Sequence, residues 1–221
     1  MAAPATKTIA NISGSWGMSL SDSTDAVLAL QGIGWVTRKT IGAAGLTLAM
    51  KQYTAKDTDG EHDLVYFPNT PGKEPDSAWL ASGPSSEESV VIHFDQIITG
   101  GLKGTSETRF VNGLLHDHTD WLFGTVSTQN VFREYAEIVA LDDLHLAGRG
   151  KQGPWIDDGT PMLITQARSP NGWVAIQTWG FQNIAVNGTT ERRFARNIVV
   201  TKGKDRVEIR LVYDFLGELA A

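Results

Sequence analysis

The chain of 221 residues contains no cysteine. That excludes a disulfide framework, a thiolate zinc site and a cysteine nucleophile. Charge is sparse, at 20% of residues, and its balance is acidic: 25 Asp and Glu stand against 19 Lys and Arg, a formal net charge of −6. A chain short of positive charge is a poor match for a phosphate backbone, so no nucleic-acid partner is expected. No window approaches the ~18 consecutive apolar residues that span a bilayer as a helix, and no membrane insertion is expected. The opening MAAPATKTIA has one Lys and no apolar run of signal-peptide length. A cytoplasmic protein is therefore expected, with the sequons Asn11-Ile12-Ser13 and Asn187-Gly188-Thr189 unmodified. Three signatures are also missing. The run Gly100-Gly101-Leu102-Lys103-Gly104-Thr105 lacks the Gly-Lys-Ser/Thr order and following helix of a phosphate loop. There is no Gly-x-Ser-x-Gly elbow and no dinucleotide fingerprint, so neither an α/β-hydrolase nor a nicotinamide enzyme is indicated. No cofactor is expected.

Against those absences stand 23 Gly and seven Trp. Most of the chain alternates apolar and polar residues with period two, broken by Gly, Asn and Asp, the signature of antiparallel strands. Strands are expected at Ile12–Ser19, Leu46–Tyr53, Ser89–Thr99, Thr105–Val111, Val131–Leu141, Pro161–Arg168, Trp173–Ile184, Arg192–Thr201 and Arg206–Phe215. Asn171-Gly172, Asn187-Gly188 and Asp59-Gly60 are hairpin signals, since both residue types tolerate positive φ. Gly203 opens a last turn. Helix is confined to 22–44. Asp22–Gln31, with Ser21 and Asp22 as caps, and Ile33–Ala44, with Ile33, Val36, Thr37, Thr40 and Ile41 in one stripe, form a helix–turn–helix around Gly32 and Gly34. Two long loops, 67–88 and 142–158, read either as lids over a site or as tolerated surface insertions. About ten strands in one domain, 1–221, predict an all-β fold: a single antiparallel up-and-down barrel with a helical cap after its first strand.

Gly14-Ser15-Trp16, then Gly32-Ile33-Gly34-Trp35-Val36-Thr37-Arg38-Lys39, then an alternating strand, resemble the start of the fatty-acid-binding type of lipid-binding protein. That resemblance implies a calycin-like barrel whose interior holds a hydrophobic ligand under two short helices. It covers roughly a sixth of the chain. Over its whole layout the chain resembles a group of fungal proteins of specialised metabolism. Some of these are cyclases, including tropolonic sesquiterpene hetero-Diels–Alderases.

Candidate site residues come from strand parity, because an interior face is apolar with a few polar groups to orient a ligand. Arg196 shares a face with Phe194, Ile198 and Val200. Trp173, Ala175, Gln177, Trp179 and Phe181 share another. Val207, Ile209, Leu211, Tyr213 and Phe215 share a third, which sets Arg210 outside with Glu208. Gln166 aligns with Met162 and Ile164, and Gln52 with Met50. Trp16 reads as a plug at the barrel base, and Trp35 belongs to the cap. Tyr213, Arg196 and Gln177 are the expected hydrogen-bond donors. Trp173, Trp179, Met50, Gln52, Gln166, Trp35 and Phe194 are the expected ligand-binding residues. His116 and His118 would point one way on a strand, and His93 and Asp95 share another face, but a third ligand is not fixed and no metal is expected.

The expected function is a cofactor-independent cyclase, of the hetero-Diels–Alder type, acting on a hydrophobic polyketide or terpenoid inside the barrel. The alternatives are a non-catalytic carrier of a hydrophobic small molecule and a structural barrel with a filled core. The oligomeric state is open.

Overall fold

The computed structural model describes residues 1–60, 88–100, 103–151 and 153–219. Ten strands form one antiparallel sheet: β1 (Gly14–Met18), β2 (Leu46–Lys56), β3 (Glu88–Ile98), β4 (Thr105–Phe110), β5 (His116–Asp120), β6 (Gly124–Arg133), β7 (Met162–Arg168), β8 (Trp173–Val186), β9 (Thr189–Lys202) and β10 (Asp205–Gly217). Their spatial order is β4-β3-β2-β1-β10-β9-β8-β7-β6-β5. Sequence-adjacent strands pair throughout except β4 and β5, which end the order, and β1 also pairs with β10. The result is the expected barrel, nearly closed. At the remaining gap, between β4 and β5, side chains stand in for a backbone ladder. The Trp121 indole N–H donates to the Gly104 carbonyl at 3.2 Å, and the Asn130 amide donates to the Phe110 carbonyl at 3.3 Å.

The turns follow the local chemistry only in part. Asn187 and Gly188 have φ of 49° and 82°, so the β8–β9 hairpin has the two positive φ values of a type I′ turn. Asn171 does not take positive φ. The β7–β8 connection is a four-residue loop, in which the Gly172 N–H donates to the Ser169 carbonyl. At Asp59-Gly60 both backbone N–H groups are taken by the Asp57 carboxylate, at 3.1 and 3.0 Å. The loop expected at 67–88 lies outside the described residues, save Glu88 at the start of β3.

The cap is a helix pair, α1 (Asp25–Leu30) and α2 (Trp35–Ala43). Thr24 rather than Ser21 or Asp22 stands at the α1 N-cap. Ser21 and Asp22 instead prolong the sheet edge, accepting the backbone N–H groups of Val212 and Arg210 at 3.0 and 2.7 Å. Arg38 and Lys39 clamp the two helices together through Asp25, at 3.3 and 3.2 Å. The apolar stripe read along α2 is not a packed face, since no residue of α2 is buried.

Expected strand Val131–Leu141 is a strand only to Arg133. A third helix, α3 (Tyr135–Val139), follows. The Glu137 carboxylate reaches back to the Glu134 backbone N–H at 3.0 Å, so the helix starts with a capping box where the alternation ends.

Two apolar cores result. The inner one lies inside the barrel and includes Trp16, Leu48, Met50, Phe94, Trp179, Phe181, Phe194 and Tyr213. The outer one lies on the back of β6–β9. There Val131, Met162, Ile164, Ile176, Ala195 and Val199 pack under Ile138, Leu146 and Trp155. The 142–158 segment is thus a packed cover of the barrel's outer wall and not a lid over its mouth. Its Trp155 indole donates to the Leu146 carbonyl at 2.9 Å, and Thr178 Oγ1 donates to the same carbonyl at 2.8 Å. Contact is close enough to require Gly180: a Cβ there would meet Met162 Cε at 2.7 Å and Trp155 Cε3 at 2.9 Å.

Candidate active site

The barrel base is closed by aromatic rings. Trp16 is fully buried, its ring centroid 4.9 Å from Phe215, 5.3 Å from Phe194 and 6.2 Å from Phe181, and its indole donates to the Ile12 carbonyl at 2.9 Å. Phe194 stacks on Tyr213 at 5.1 Å. Above this floor a cavity of about 180 Å³ remains. Val27 and Leu28 of α1 and Ile41 of α2 roof it, while Trp173, Phe123 and Leu211 give it apolar walls.

Its polar groups come from few strands. Arg196 on β9 is buried, and its guanidinium donates to the Gln177 side-chain carbonyl (Nε 3.2 Å, Nη2 2.5 Å) and to the Tyr213 hydroxyl at 3.4 Å. It lies 4.3 Å from the Trp179 ring centroid, a cation–π contact. The Trp179 indole also donates to the Gln177 carbonyl, at 3.2 Å, so that one oxygen anchors three N–H groups. Among the described residues no carboxylate pairs with Arg196. Burial pushes its guanidinium below the ordinary value, the Tyr213 hydroxyl opposes this, and Arg109 adds to it. Burial likewise pushes the Tyr213 phenol up, with Arg196 opposing.

A second polar group stands on β4 and β5. Arg109 and Glu107 form a buried, two-pronged pair at 2.7 and 3.0 Å. Arg109 also lies 5.1 Å from the Phe94 ring and 5.3 Å from the Trp179 ring. Trp179 is therefore in cation–π contact with two guanidinium groups. His118 Nε2 stands 3.4 Å from Asp120 Oδ2, an ion-pair distance. Asp120 raises the His118 imidazole above its ordinary 6.5, burial opposes, and Glu107 adds to the rise. Burial alone would push the Asp120 carboxyl up. His118 and the backbone N–H groups of Phe123 and Leu122 outweigh it and hold it below its ordinary range.

Tyr213, Arg196, Gln177 and Trp173 line the cavity. Trp179 and Phe194 lie in the inner core, in contact with Arg196 and Tyr213 respectively. Met50 is buried in the same core, off the cavity wall. Gln52 does not line the cavity either, and its carbonyl accepts the Ile12 backbone N–H at 2.9 Å. Two placements differ outright from expectation. Gln166 faces the outer core with Met162 and Ile164, while Leu163 and Ala167 face inward. The apolar face chosen by parity on β7 was the back of the barrel, because α3 and 142–158 bury that side too. Trp35 is 64% exposed and does not line the cavity.

Parity did not bring out Glu107 or Arg109, and it set His118 beside His116 only as a possible metal ligand, not at the cavity wall. The β4 sequence TSETRF has one apolar residue, Phe110, so hydropathy does not say which way the strand faces. The signal that does is its register. Phe94 opposite Glu107 and Ile92 opposite Arg109 put both polar residues beside inward-facing apolar ones. His116 and His118 share a strand face as expected, but His116 is held by Asp57 at 2.8 Å and stacks on Phe110. No group of residues suited to a metal ion occurs among the described residues.

No protein-family model matches the chain. Among solved structures, the lipid binding protein 8 of Caenorhabditis elegans superposes with a TM-score of 0.50 at 14% identity, over 95% of this chain and 99% of that one. The fatty-acid-binding protein 1 of Echinococcus granulosus gives a TM-score of 0.48 at 12% identity, over 93% and 98%. The probable pericyclase scpY of Mollisia scopiformis is 26% identical over 98% of this chain and 95% of its own length. The pericyclase pydY of an Acremonium species is 31% identical over 224 aligned positions that span both chains completely. The chain belongs to the pericyclase family represented by pydY.

Proposed function

We propose that this chain is itself a pericyclase without a cofactor, which closes a ring of the hetero-Diels–Alder type in a hydrophobic polyketide or terpenoid intermediate. The observation that carries the reading is Arg196. It is a buried cation at the wall of an apolar cavity, and among the described residues its hydrogen-bond partners are the neutral Gln177 and Tyr213. Burying such a charge is costly, and an electron-rich oxygen on a bound molecule would offset that cost. A pericyclic step moves electrons around a ring and needs no proton relay. The protein accelerates it by holding the chain folded so that its reacting ends meet. It also withdraws electron density from one partner by donating hydrogen bonds to its carbonyl. Arg196 and Tyr213 are the donors in this reading, and Gln177 holds the guanidinium in place. Trp173 shapes the wall, while Trp179 and Phe194 support the cation and the phenol from below.

The test is to incubate purified protein with linear polyene candidates bearing a conjugated carbonyl and to resolve the products by stereochemistry. A changed ratio of stereoisomers relative to buffer is expected, and it should revert towards the buffer ratio in Arg196→Met. An unchanged ratio with the wild-type protein, while the compounds bind, would favour the carrier reading.

A further inference from the structure

The wall formed by the two edge strands carries groups that ring closure leaves idle. Glu107 and Arg109 on β4 and His118 and Asp120 on β5 all line the cavity described above. Asp120 stands at the Nε2 edge of the His118 ring, and its own geometry is fixed by the backbone N–H groups of Leu122 and Phe123, each 2.7 Å from Oδ1. His118 Nε2 is buried and meets no hydrogen-bond geometry among the described residues. An imidazole at ion-pair distance from a firmly held carboxylate, at the wall of an apolar cavity, has the makings of a general base. Arg109 supplies the complement. Two of its nitrogens are bound to Glu107, and its buried Nη1 has no hydrogen-bond partner among the described residues.

We propose that His118, positioned by Asp120, is a proton-transfer residue, and that the barrel isomerises its ligand by proton transfer as well as closing a ring in it. The inference rests on the cavity being the reaction chamber of the preceding reading. His118 takes a proton from an acidic carbon next to a carbonyl, and the electron pair of that C–H bond moves into the carbonyl. The resulting oxyanion is held by Arg109 Nη1. The proton returns at oxygen or at another carbon of the conjugated system, so the net change is an isomerisation with no co-reactant. Such a step would generate or reposition the diene that ring closure consumes.

Several groups set the charge of His118. Asp120 on its own strand and Glu107 on β4 favour the protonated form, and Arg109 opposes it. From β6 only the uncharged Val126 and Thr128 line the cavity.

A probe independent of the natural substrate is 5-nitrobenzisoxazole. Loss of its ring C–H proton to a base breaks the N–O bond, and the electron pair ends on a coloured phenolate. The wild-type protein is expected to accelerate this elimination over free imidazole at equal concentration, with a rate that rises with pH through an inflection above 6.5. His118→Gln should lower it by about 100-fold, in the range usual for a general base. Asp120→Asn should move the inflection down, because the carboxylate that favours the imidazolium is gone. The neutral dye N-phenyl-1-naphthylamine reports whether each variant keeps its cavity. If His118→Gln does not fold, the inflections of the wild type and Asp120→Asn decide the matter. No acceleration by the wild type, an unchanged rate in a folded His118→Gln, or an inflection unmoved by Asp120→Asn overturns the proposal. Elimination activity without any ring closure would leave this proposal standing and remove the pericyclase reading alone.

Discussion

The two apolar cores on either side of β7–β9 are built from the same strands yet differ in kind. The outer core is filled. Trp155 seals it, the Trp155, Thr178, Gln182 and Asn197 side chains donate to backbone carbonyls, and Gly180 marks a contact too tight for one methyl group. The inner core is filled only at its base. Above Trp16 and Phe194 it opens into a cavity with two guanidinium groups, one carboxylate partner for one of them, and an imidazole–carboxylate pair. Close packing maximises dispersion and burial, so the outer core has the features of a region that stabilises. The inner cavity forgoes such contacts and keeps a charge, that of Arg196, with no carboxylate paired to it among the described residues.

That contrast can be broken at several points. The largest effect belongs to Trp155→Ala, which should cost about 3–5 kcal/mol, the usual range for an emptied aromatic site. Denaturant unfolding measures the loss, and binding of a neutral dye in the cavity should survive under native conditions. Gly180→Ala should cost about 1–3 kcal/mol by overpacking the same contact, measurable in the same way. Arg196→Met reverses the pattern. Stability should stay within about 1 kcal/mol of wild type, because a desolvated cation is removed along with its hydrogen bonds. Turnover should fall about 100-fold or more, as when one preorganised donor is lost. A loss of stability as large as that of Trp155→Ala would show that Arg196 is a structural brace.

The smallest effect is one of pH. The raised His118 value contributes stability that is full below 6.5 and is lost as pH rises through the raised value. The lowered Asp120 value contributes stability that is full above its ordinary 3.8 and is lost as pH falls through the lowered value. The pair is therefore strongest in weakly acidic solution. Thermal melts of wild type and His118→Gln should differ most there and converge at alkaline pH.

The barrel itself was legible because most strands have one apolar face, and Trp16 could be set at the base from its place in the first strand. The inner faces of β8, β9 and β10 were legible for the same reason, each carrying large apolar residues around one polar group: Gln177, Arg196 and Tyr213. Gln166 was misplaced because β7 is buried on both faces, and a strand buried on both sides carries no parity information. Glu107 and Arg109 on β4 escaped notice, and His118 on β5 was not set at the cavity wall, for the opposite reason. Neither strand has enough apolar residues to show which face is inside, and only their pairing with β3 and β6 tells. Trp35 was drawn to the cavity by its place in the Gly-Ile-Gly-Trp run, but the first turn of α2 points its indole to solvent.

The seam between β4 and β5 gives the barrel a mechanical property that a closed one lacks. A continuous cylinder of strands can widen only by breaking backbone hydrogen bonds along a whole strand. Here the opening is bridged by side-chain hydrogen bonds, from Trp121 after β5 to Gly104 before β4 and from Asn130 on β6 to Phe110 on β4, which can be released and remade without disturbing a ladder. Opening there would break fewer hydrogen bonds than anywhere along a ladder, and the wall beside it is the one that holds His118 and Arg109. A substrate that changes shape as its ring forms can be followed by that wall rather than resisted by it.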